Sequence, residues 1–381
     1  MSKEINVGGW LVDKRVLILS EAFGAGHTTA AQSLKEGILN IDPTIRIRVV
    51  EVGKNYLPFT STIVNKLYLN LINNYPSFWR FLYTTSQDKL CSKWYSFLLY
   101  FFFYKKMQNL LIEYNPDIII CTHPFSNTLA SKFKSKRTFT LCTLITELHL
   151  HGCWVNPEID FYFVSFDKMT EDLQKFGTKN EKIRVTGLPT RKGFWDKQDK
   201  LQARANLNLK NIPTLLIMGG GLGLGGMNNV ALELFNLREE VQIIICTGNN
   251  EELKQELGNL SSGHPHIKIL GYESSIHHWM DAADLLITKP GGATCFEALV
   301  KGLPMIITNP ISGHEEQNCE FLTSNDLAIH IEELTDLVPV VREMLFIKKS
   351  NKRVLRNVDQ FNEKVDPLAS AKHVVELLKT N

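Results

Sequence analysis

The segment TKPGGATCFEALVKGLPMIITNPISGHEEQN, which spans residues 288–318, decides the fold. It reads as the end of a strand, a glycine loop, a helix, a second strand at 305–308 and a further loop that opens another helix. Strand, glycine turn and helix in this order are typical of a βαβ unit. Glycine allows backbone N–H groups to approach an anion closely, and the amino terminus of the following helix adds a positive partial charge. The segment therefore predicts a parallel sheet with an anion-binding edge.

The same alternation extends outward to both ends of the chain. We predict a helix at 28–39 and strands at 15–20, 45–52, 117–121, 139–145, 160–165, 182–186, 214–218, 241–246, 266–270, 284–288 and 305–308. Continuous apolar strands are typical of parallel sheets that are covered on both faces. We therefore expect an α/β fold in which two doubly wound, Rossmann-like domains face each other across a cleft, with a ligand at the carboxyl ends of their strands.

The length of 381 residues also favours two domains, of roughly 150–200 residues each. The polar stretch at 196–211 marks the crossover between them. We place the amino-terminal domain at 1–195 and the carboxyl-terminal domain at 196–350. Residues 351–381 are expected to form terminal helices that return to the first domain.

Composition and charge argue against several classes of protein. The net charge of +2 gives no reason to expect a nucleic-acid partner. Seven scattered cysteines without CxxC spacing argue against a disulfide framework or a zinc site and fit a reducing compartment. The longest apolar run, at 94–104, has eleven residues, whereas a membrane-spanning helix needs about 20. The amino terminus lacks the apolar core of a signal peptide, so we expect a cytoplasmic protein.

Three glycine loops, at 23–27, 218–226 and 289–294, each lie between a predicted strand and a predicted helix. Such loops can hold phosphate, or they can simply allow a helix to pack closely on a sheet, and none contains the Gly-Lys-Ser/Thr of a Walker loop. Glu297 follows the last loop by one helical turn, where a carboxylate can accept the hydroxyls of a ribose or stabilise the helix dipole by under about 1 kcal/mol. The residues HEEQN at 314–318 offer donors and acceptors that suit the hydroxyls of a sugar.

Five sequence blocks, in this order and spacing, resemble one known family. They are VLILSEAFGAGHTTAAQSL at 16–34, HLHGCWVNPEIDFYFVS at 149–165, VTGLPTRKGF at 185–194, LLIMGGGLGLGG at 215–226 and GYESSIHHWMDAADLLITKPGGATCFEALVKGLPMI at 271–306. The chain resembles the GT-B glycosyltransferases of family 28, which include the monogalactosyldiacylglycerol synthases and the processive diacylglycerol glucosyltransferases and are related to the lipid II N-acetylglucosaminyltransferase. The resemblance covers nearly the whole chain. It implies an inverting, metal-independent transfer from a UDP-sugar, which acts as a co-substrate, with no bound cofactor.

In such enzymes the carboxyl-terminal domain binds the nucleotide, and the resemblance assigns roles by motif. Gly271 and Tyr272 would lie near the uracil, residues 291–294 would hold the diphosphate, and Glu297 would bind the ribose. The pair at 314–315 would contact the sugar hydroxyls. The full set of expected donor-binding residues is Gly24, Gly26, Arg191, Gly219, Gly220, Gly221, Gly271, Tyr272, Lys289, Pro290, Gly291, Gly292, Ala293, Thr294, Glu297, His314, Glu315 and Asn318.

Two positions depart from the family pattern. His314 stands where relatives commonly have Gln, which changes the hydrogen-bonding groups and leaves the identity of the sugar open. Glu147 stands where the family usually has Asp before its His and Trp, which are here His151 and Trp154.

Inversion requires a base for the proton of the acceptor hydroxyl and groups that stabilise the leaving diphosphate. His27, at the end of the first glycine loop, is the first candidate for the base or for a diphosphate contact, because an unperturbed imidazole pKa of about 6.5 suits that task. Glu147 and His151 are the alternatives, and each of the three could instead have a structural role. No cluster of Asp, His and Cys has metal-ligand spacing, so backbone amides and helix dipoles are expected to stabilise the diphosphate.

The acceptor is expected in the amino-terminal domain, at an aromatic segment that spans residues 56–107. Eight of the eleven residues at 94–104 are aromatic, which is more than a small domain easily covers. In relatives the matching region meets the membrane and the lipid acceptor, whereas a buried helix pair is the alternative explanation. The residues expected at this surface are Trp79, Trp94, Phe101, Phe102, Lys105 and Lys106.

The sequence therefore predicts an enzyme that moves a hexose from a UDP-sugar to a lipid hydroxyl, with diacylglycerol as the first candidate. We expect it to be a peripheral protein on the inner face of the cell membrane. Two alternatives stay open: the same fold and donor with a soluble or secondary-metabolite acceptor, and a UDP-sugar sensor without turnover. Nucleotide-sugar epimerases share the two-sheet layout but lack the aromatic insert.

Overall fold

The structure is a computed structural model, and it describes residues 14–21, 26–57, 63, 66–67, 70–72, 74–90, 92–223, 226–347 and 352–380. Within these ranges the chain forms two parallel sheets, each covered by helices on both faces. The α/β fold of two doubly wound domains that the sequence predicts is therefore confirmed.

The first sheet has the strand order β2-β1-β3-β4-β5-β6, and every neighbouring pair is parallel. Its strands are β1 (Arg15–Ser20), β2 (Arg46–Glu51), β3 (Ile118–Cys121), β4 (Thr140–Leu144), β5 (Phe161–Val164) and β6 (Ile183–Val185). The helices of this part of the chain are α1 (Gly26–Ile41), α2 (Val52–Tyr56), α3 (Pro76–Gln87), α4 (Lys93–Tyr114), α5 (Pro124–Lys134) and α6 (Asp167–Lys175).

The second sheet has the order β12-β11-β10-β7-β8-β9 and is also parallel. Its strands are β7 (Thr214–Met218), β8 (Gln242–Cys246), β9 (Ile267–Leu270), β10 (Leu285–Thr288), β11 (Met305–Thr308) and β12 (Ile329–Ile331). The remaining helices are α7 (Lys200–Asn206), α8 (Met227–Leu234), α9 (Glu251–Leu260), α10 (Ile276–Ala282), α11 (Gly292–Val300), α12 (His314–Ser324), α13 (Leu337–Arg342), α14 (Lys352–Lys364) and α15 (Ala369–Thr380).

Burial on both faces explains why the strands are continuously apolar. In β1, Leu17 and Leu19 belong to one hydrophobic core, whereas Val16 and Ile18 belong to the core on the opposite face. Because successive side chains of a strand point to opposite faces, a strand between two helical layers needs an apolar residue at every position. The strand β12 was not predicted, since its three residues, IHI, carry a central histidine and give too short a signal.

The two terminal helices pack mainly on different domains. In α14, Val354 and Val358 are buried in the core of the second domain. The last helix, α15, instead packs on α1 of the first domain, where a Cβ on Gly37 would lie 2.9 Å from the Cβ of Ala371. The helix α15 therefore crosses back to the amino-terminal domain, whereas α14 stays on the second domain and touches the first through Phe361, whose ring centroid lies 5.5 Å from that of Phe166.

Candidate active site between the two domains

A cleft of about 770 Å³ lies between the domains. Its walls come from the carboxyl ends of β1, β2, β4, β6, β7, β8, β9, β10 and β11 and the segments that follow them, because the carboxyl ends of parallel strands meet at one edge of each sheet. The predicted site residues that line it are Gly26, His27, Glu147, Arg191, Gly219, Gly220, Gly221, Gly271, Tyr272, Lys289, Gly291, Gly292, Ala293, Thr294, Glu297, His314 and Glu315.

Of the predicted catalytic and donor-binding residues that the structure describes, three do not line the cleft. Gly24 lies outside the described residues. Pro290 and Asn318 lie behind the wall, where the Asn318 amide donates to the Pro290 carbonyl at 3.0 Å. His151 is buried, and its Nδ1 accepts from the Cys153 amide at 3.1 Å, which caps a short 3-10 turn. The structure therefore does not bring His151 together with the other two candidate catalytic residues.

The glycine loop at 289–294 lies directly against the first domain. A Cβ on Gly292, the first residue of α11, would lie 2.6 Å from the Thr146 carbonyl oxygen, so only glycine fits at this approach. The amino terminus of α11 consequently faces the segment that carries Glu147, and the two halves of the site meet here. Unpaired backbone N–H groups at such a terminus attract anions.

Glu315 lines the cleft and also has partners within the protein. It is buried, its Oε1 forms an ion pair with Lys289, and its Oε2 accepts from the Ile311 amide at 3.0 Å. Its assignment to the sugar hydroxyls stays a prediction, and the structure adds an ion pair with Lys289 at the cleft. Lys289 is thereby fixed beside the glycine loops, within 3.4 Å of a Cβ built on Gly220.

Glu297 receives both of its described hydrogen bonds from Arg191, whose Nε and Nη2 lie 3.2 and 3.0 Å from Oε1. Arg191 also donates to the Ser274 carbonyl at 3.2 Å, so it holds the carboxylate and the adjacent loop together. Burial raises the pKa of Glu297 against the opposing effect of Arg191. In the described part of the chain, no protein group donates to Oε2.

His27 lies at the start of α1, with Nδ1 2.7 Å from the Thr146 hydroxyl oxygen and its ring edge-on to His123 at 4.6 Å. Burial lowers the pKa of His27, so the ring is neutral at neutral pH. Thr146 was not among the residues predicted from the sequence. Its position next to Glu147, just after β4, is the sequence signal that points to it.

Glu147 lies on the same segment and also lines the cleft. Burial opposes its ionisation, but the neighbouring His314, His27 and His149, together with a hydrogen bond from the Asn318 amide, outweigh burial and lower the pKa of Glu147. That hydrogen bond, from Nδ2 to Oε2, is 3.0 Å long. The cleft thus contains a neutral imidazole and an ionised carboxylate. No group of three or more His, Cys, Asp or Glu residues within the described ranges is arranged to hold a metal ion.

The aromatic segment at 56–107 has a buried face and a solvent-exposed face, which is called the open face below. On α4, Phe103 and Met107 are buried, whereas Phe101 and Phe102 are 70% and 61% exposed. The helix α3 has no buried residue, which does not fit the alternative of a buried helix pair. Other exposed aromatic residues of the predicted segment at 56–107 include Tyr75, Phe78, Phe81 and Phe97.

The remaining residues expected at this surface differ in their exposure to solvent. Lys105 and Lys106 are exposed on α4, and Lys106 donates to the Tyr56 carbonyl. Trp79 is half-buried beside Gly313, and the side chain of Trp94 lies outside the described residues. In the part of the chain that the structure describes, no helix is long and apolar enough to cross a bilayer.

Two facing parallel sheets with glycine loops at the edge of the cleft define the GT-B fold. Solved structures that share it include the UDP complex of UDP-glucose: anthocyanidin 3-O-glucosyltransferase, at 11% identity and a TM-score of 0.64 over 97% of this chain and 99% of that one. MurG from Acinetobacter baumannii matches with 14% identity and a TM-score of 0.59 over 97% and 100% of the two chains. A putative UDP-N-acetylglucosamine 2-epimerase from Listeria monocytogenes also matches, with 14% identity and a TM-score of 0.62 over 96% and 95%. Fold alone therefore does not choose between transfer and epimerisation.

Sequence relatives make that choice. Residues 27–190 match the model of monogalactosyldiacylglycerol (MGDG) synthase, and residues 214–368 match the glycosyltransferase family 28 C-terminal domain. The chain is 30% identical to the processive diacylglycerol beta-glucosyltransferase of Bacillus pumilus, over 96% of this chain and 95% of the relative. It is also 30% identical to the Bacillus subtilis protein of that name, over 91% of each chain. The chain belongs to this family of glycosyltransferases.

Proposed function

We propose that this protein transfers a hexose from a UDP-sugar to the hydroxyl of diacylglycerol, with inversion at the sugar and without a metal ion. The observation that carries the proposal is the cleft itself, which brings the loop at 289–297 of the second domain against His27 and Glu147 of the first. Family membership supports the same donor and acceptor, since the relatives are named for diacylglycerol and glucose.

In the proposed mechanism, the acceptor oxygen attacks the anomeric carbon while the bond from that carbon to the diphosphate oxygen breaks. UDP leaves with the electron pair, and Lys289 and the amides at the start of α11 stabilise its charge. Nε2 of His27 takes the proton of the acceptor hydroxyl. This role requires the ring proton on Nδ1, where it donates to the Thr146 hydroxyl 2.7 Å away. The ionised Glu147 stabilises the imidazolium that forms.

A screen of donors tests this function. We expect UDP release when the protein is mixed with UDP-glucose or UDP-galactose and vesicles that contain diacylglycerol, and none with vesicles that lack it. His314 lines the cleft where relatives commonly carry Gln, so the preferred sugar is read from the screen. Absence of release with every UDP-sugar and every lipid would contradict the proposal.

The open aromatic face supports a lipid acceptor and a peripheral position on the inner face of the cell membrane. Phe101 and Phe102 adjoin Lys105 and Lys106 on α4, a combination that suits the interface of an anionic bilayer. Burial of one Phe side chain contributes about 1.5–3 kcal/mol. We therefore expect the double change Phe101→Ala and Phe102→Ala to weaken vesicle binding by at least about tenfold in a flotation assay.

A matched control for this experiment is Phe346→Ala, which removes an exposed ring from the second domain. We expect this variant to float as the unchanged protein does. If the unchanged protein ignores vesicles of phosphatidylglycerol and diacylglycerol, a soluble acceptor replaces the lipid in the proposal.

A further inference from the structure

The helix α3 of the aromatic segment docks on α12 of the second domain. Arg80 donates from Nε to Oε2 of Glu316 at 3.0 Å and from Nη2 to Oε1 of the same carboxylate. At the far end of α3, the Gln87 amide lies 3.4 Å from the Gln317 side-chain oxygen. A Cβ on Gly313 would come within 3.1 Å of Trp79 and Tyr83 on α3, so a glycine is needed where the two helices meet.

A line of hydrogen bonds runs from this contact into the cleft. The Tyr83 hydroxyl lies 2.7 Å from Nε2 of His149, and Nδ1 of that ring lies 3.2 Å from Oδ1 of Asn318. The amide nitrogen of Asn318 lies 3.0 Å from Oε2 of Glu147. The line therefore connects a tyrosine of the aromatic segment to a carboxylate of the cleft through both domains.

The direction of every bond in the line is fixed by its surroundings. Oδ1 of Asn318 also accepts from the Leu148 amide at 3.0 Å, and Nδ2 also donates to the Pro290 carbonyl at 3.0 Å, so the amide group has one satisfactory orientation. Because Oδ1 is an acceptor, Nδ1 of His149 must donate to it. A neutral ring then leaves Nε2 as an acceptor for the Tyr83 hydroxyl.

The charge state of the ring agrees with that direction, since burial lowers the pKa of His149. Asn318 is fully buried, so no water competes for its amide. Each group in the line donates toward Glu147, and bonds in such a sequence polarise one another. The carboxylate thus receives a hydrogen bond whose strength depends on a hydroxyl outside the cleft.

We propose that Tyr83, His149 and Asn318 are positioning residues that hold Glu147 in its working orientation only while α3 is docked on α12. The inference rests on the proposed function, in which Glu147 stabilises the protonated base. It adds a coupling between the aromatic segment, where the acceptor is expected, and the transfer step that Glu147 assists. Phe78 and Phe81 project from the same helix into solvent, so engagement of α3 by a lipid surface and the orientation of Glu147 are linked.

Tyr83→Phe tests the proposal, because it removes one hydroxyl and retains the ring against Gly313. We expect kcat to fall by about tenfold, the cost of one hydrogen bond in a charged network, while the Kd of UDP stays unchanged. Thr85→Ala on the same helix is the matched control, since the exposed Thr85 hydroxyl bonds to the Phe81 carbonyl of its own helix at 2.7 Å. That variant should retain full turnover.

A double variant separates the line from independent contacts. If the residues act as one unit, Tyr83→Phe should cost nothing further in a His149→Gln background. If the two losses multiply instead, the residues act separately and the proposal is overturned.

The pKa of Glu147 provides a readout that does not need turnover. Selective carbon-13 labelling of glutamate, with Glu147→Gln to assign the signal, should show a higher carboxyl pKa in Tyr83→Phe than in the unchanged protein, because a donor to the charged form is weakened. An unchanged pKa overturns the inference even if the protein turns over. Absence of turnover in the unchanged protein contradicts the proposed function, whatever the titration shows.

Discussion

Replacement of His27 by Ala is expected to lower kcat by about 10²–10⁴-fold, the usual contribution of a general base, while the Kd of UDP changes little. The reason is geometric, because His27 belongs to the first domain and the nucleotide loops belong to the second. UDP release with diacylglycerol vesicles measures kcat, and calorimetric titration with UDP measures the Kd. His264→Ala, in a loop before β9, is the control and should behave as the unchanged protein.

The pH dependence of kcat/KM tests the same assignment. A base must be neutral to accept a proton, and burial lowers the pKa of His27 below the ordinary value of 6.5. Activity should therefore be complete at neutral pH and should fall as the pH drops through the lowered pKa. Turnover that survives in His27→Ala, or an acidic limb above pH 6.5, would mean that the base lies elsewhere.

The sheets and the donor wall of the site could be predicted from the sequence because their signals are local. A strand buried on both faces is apolar at every position, and a glycine loop directly follows it in the chain. The run at 288–318 contains both signals, so its placement along one edge of the cleft follows from strand order alone. The three-residue strand β12 has no such signal and was missed.

The wall of the first domain could not be predicted in the same way. The segment at 145–151 has no periodicity, so nothing in the sequence tells which of His149 and His151 faces Asn318 and which caps the next turn. The Arg80–Glu316 ion pair joins residues 236 positions apart, and the contact arises only when the domains are packed. Pairings that depend on tertiary structure alone leave no pattern in a single sequence.

Glu315 shows which contacts of a predicted site residue the sequence does not reveal. Polar residues after a glycine turn offer hydroxyl-binding groups, and the sequence assigns them to the sugar. In the folded chain Lys289 and the Ile311 amide already use both oxygens of Glu315. A charge buried beside a glycine loop needs a partner, and the nearest one is a side chain of the same wall.

Replacement of Glu297 by Ala is expected to raise the Kd of UDP on the order of 100-fold, because two hydrogen bonds from ribose hydroxyls to a charged acceptor contribute about 1.5–3 kcal/mol each. Both Arg191 bonds go to Oε1, so Oε2 is the oxygen that we expect to accept from the ribose. Calorimetric titration with UDP measures the loss. Glu320→Ala, an exposed carboxylate on α12, is the control and should not change the affinity.

Comparison of UDP with 2′-deoxy-UDP distinguishes ribose recognition from a structural effect of Glu297. The unchanged protein should bind UDP about tenfold or more tightly than the deoxy form, since one hydrogen bond to the carboxylate is missing in the latter. In Glu297→Ala the two ligands should bind equally, because neither hydroxyl has a partner. A variant that binds both ligands weakly but keeps the preference would show that Glu297 acts only through Arg191, as a brace between the domains.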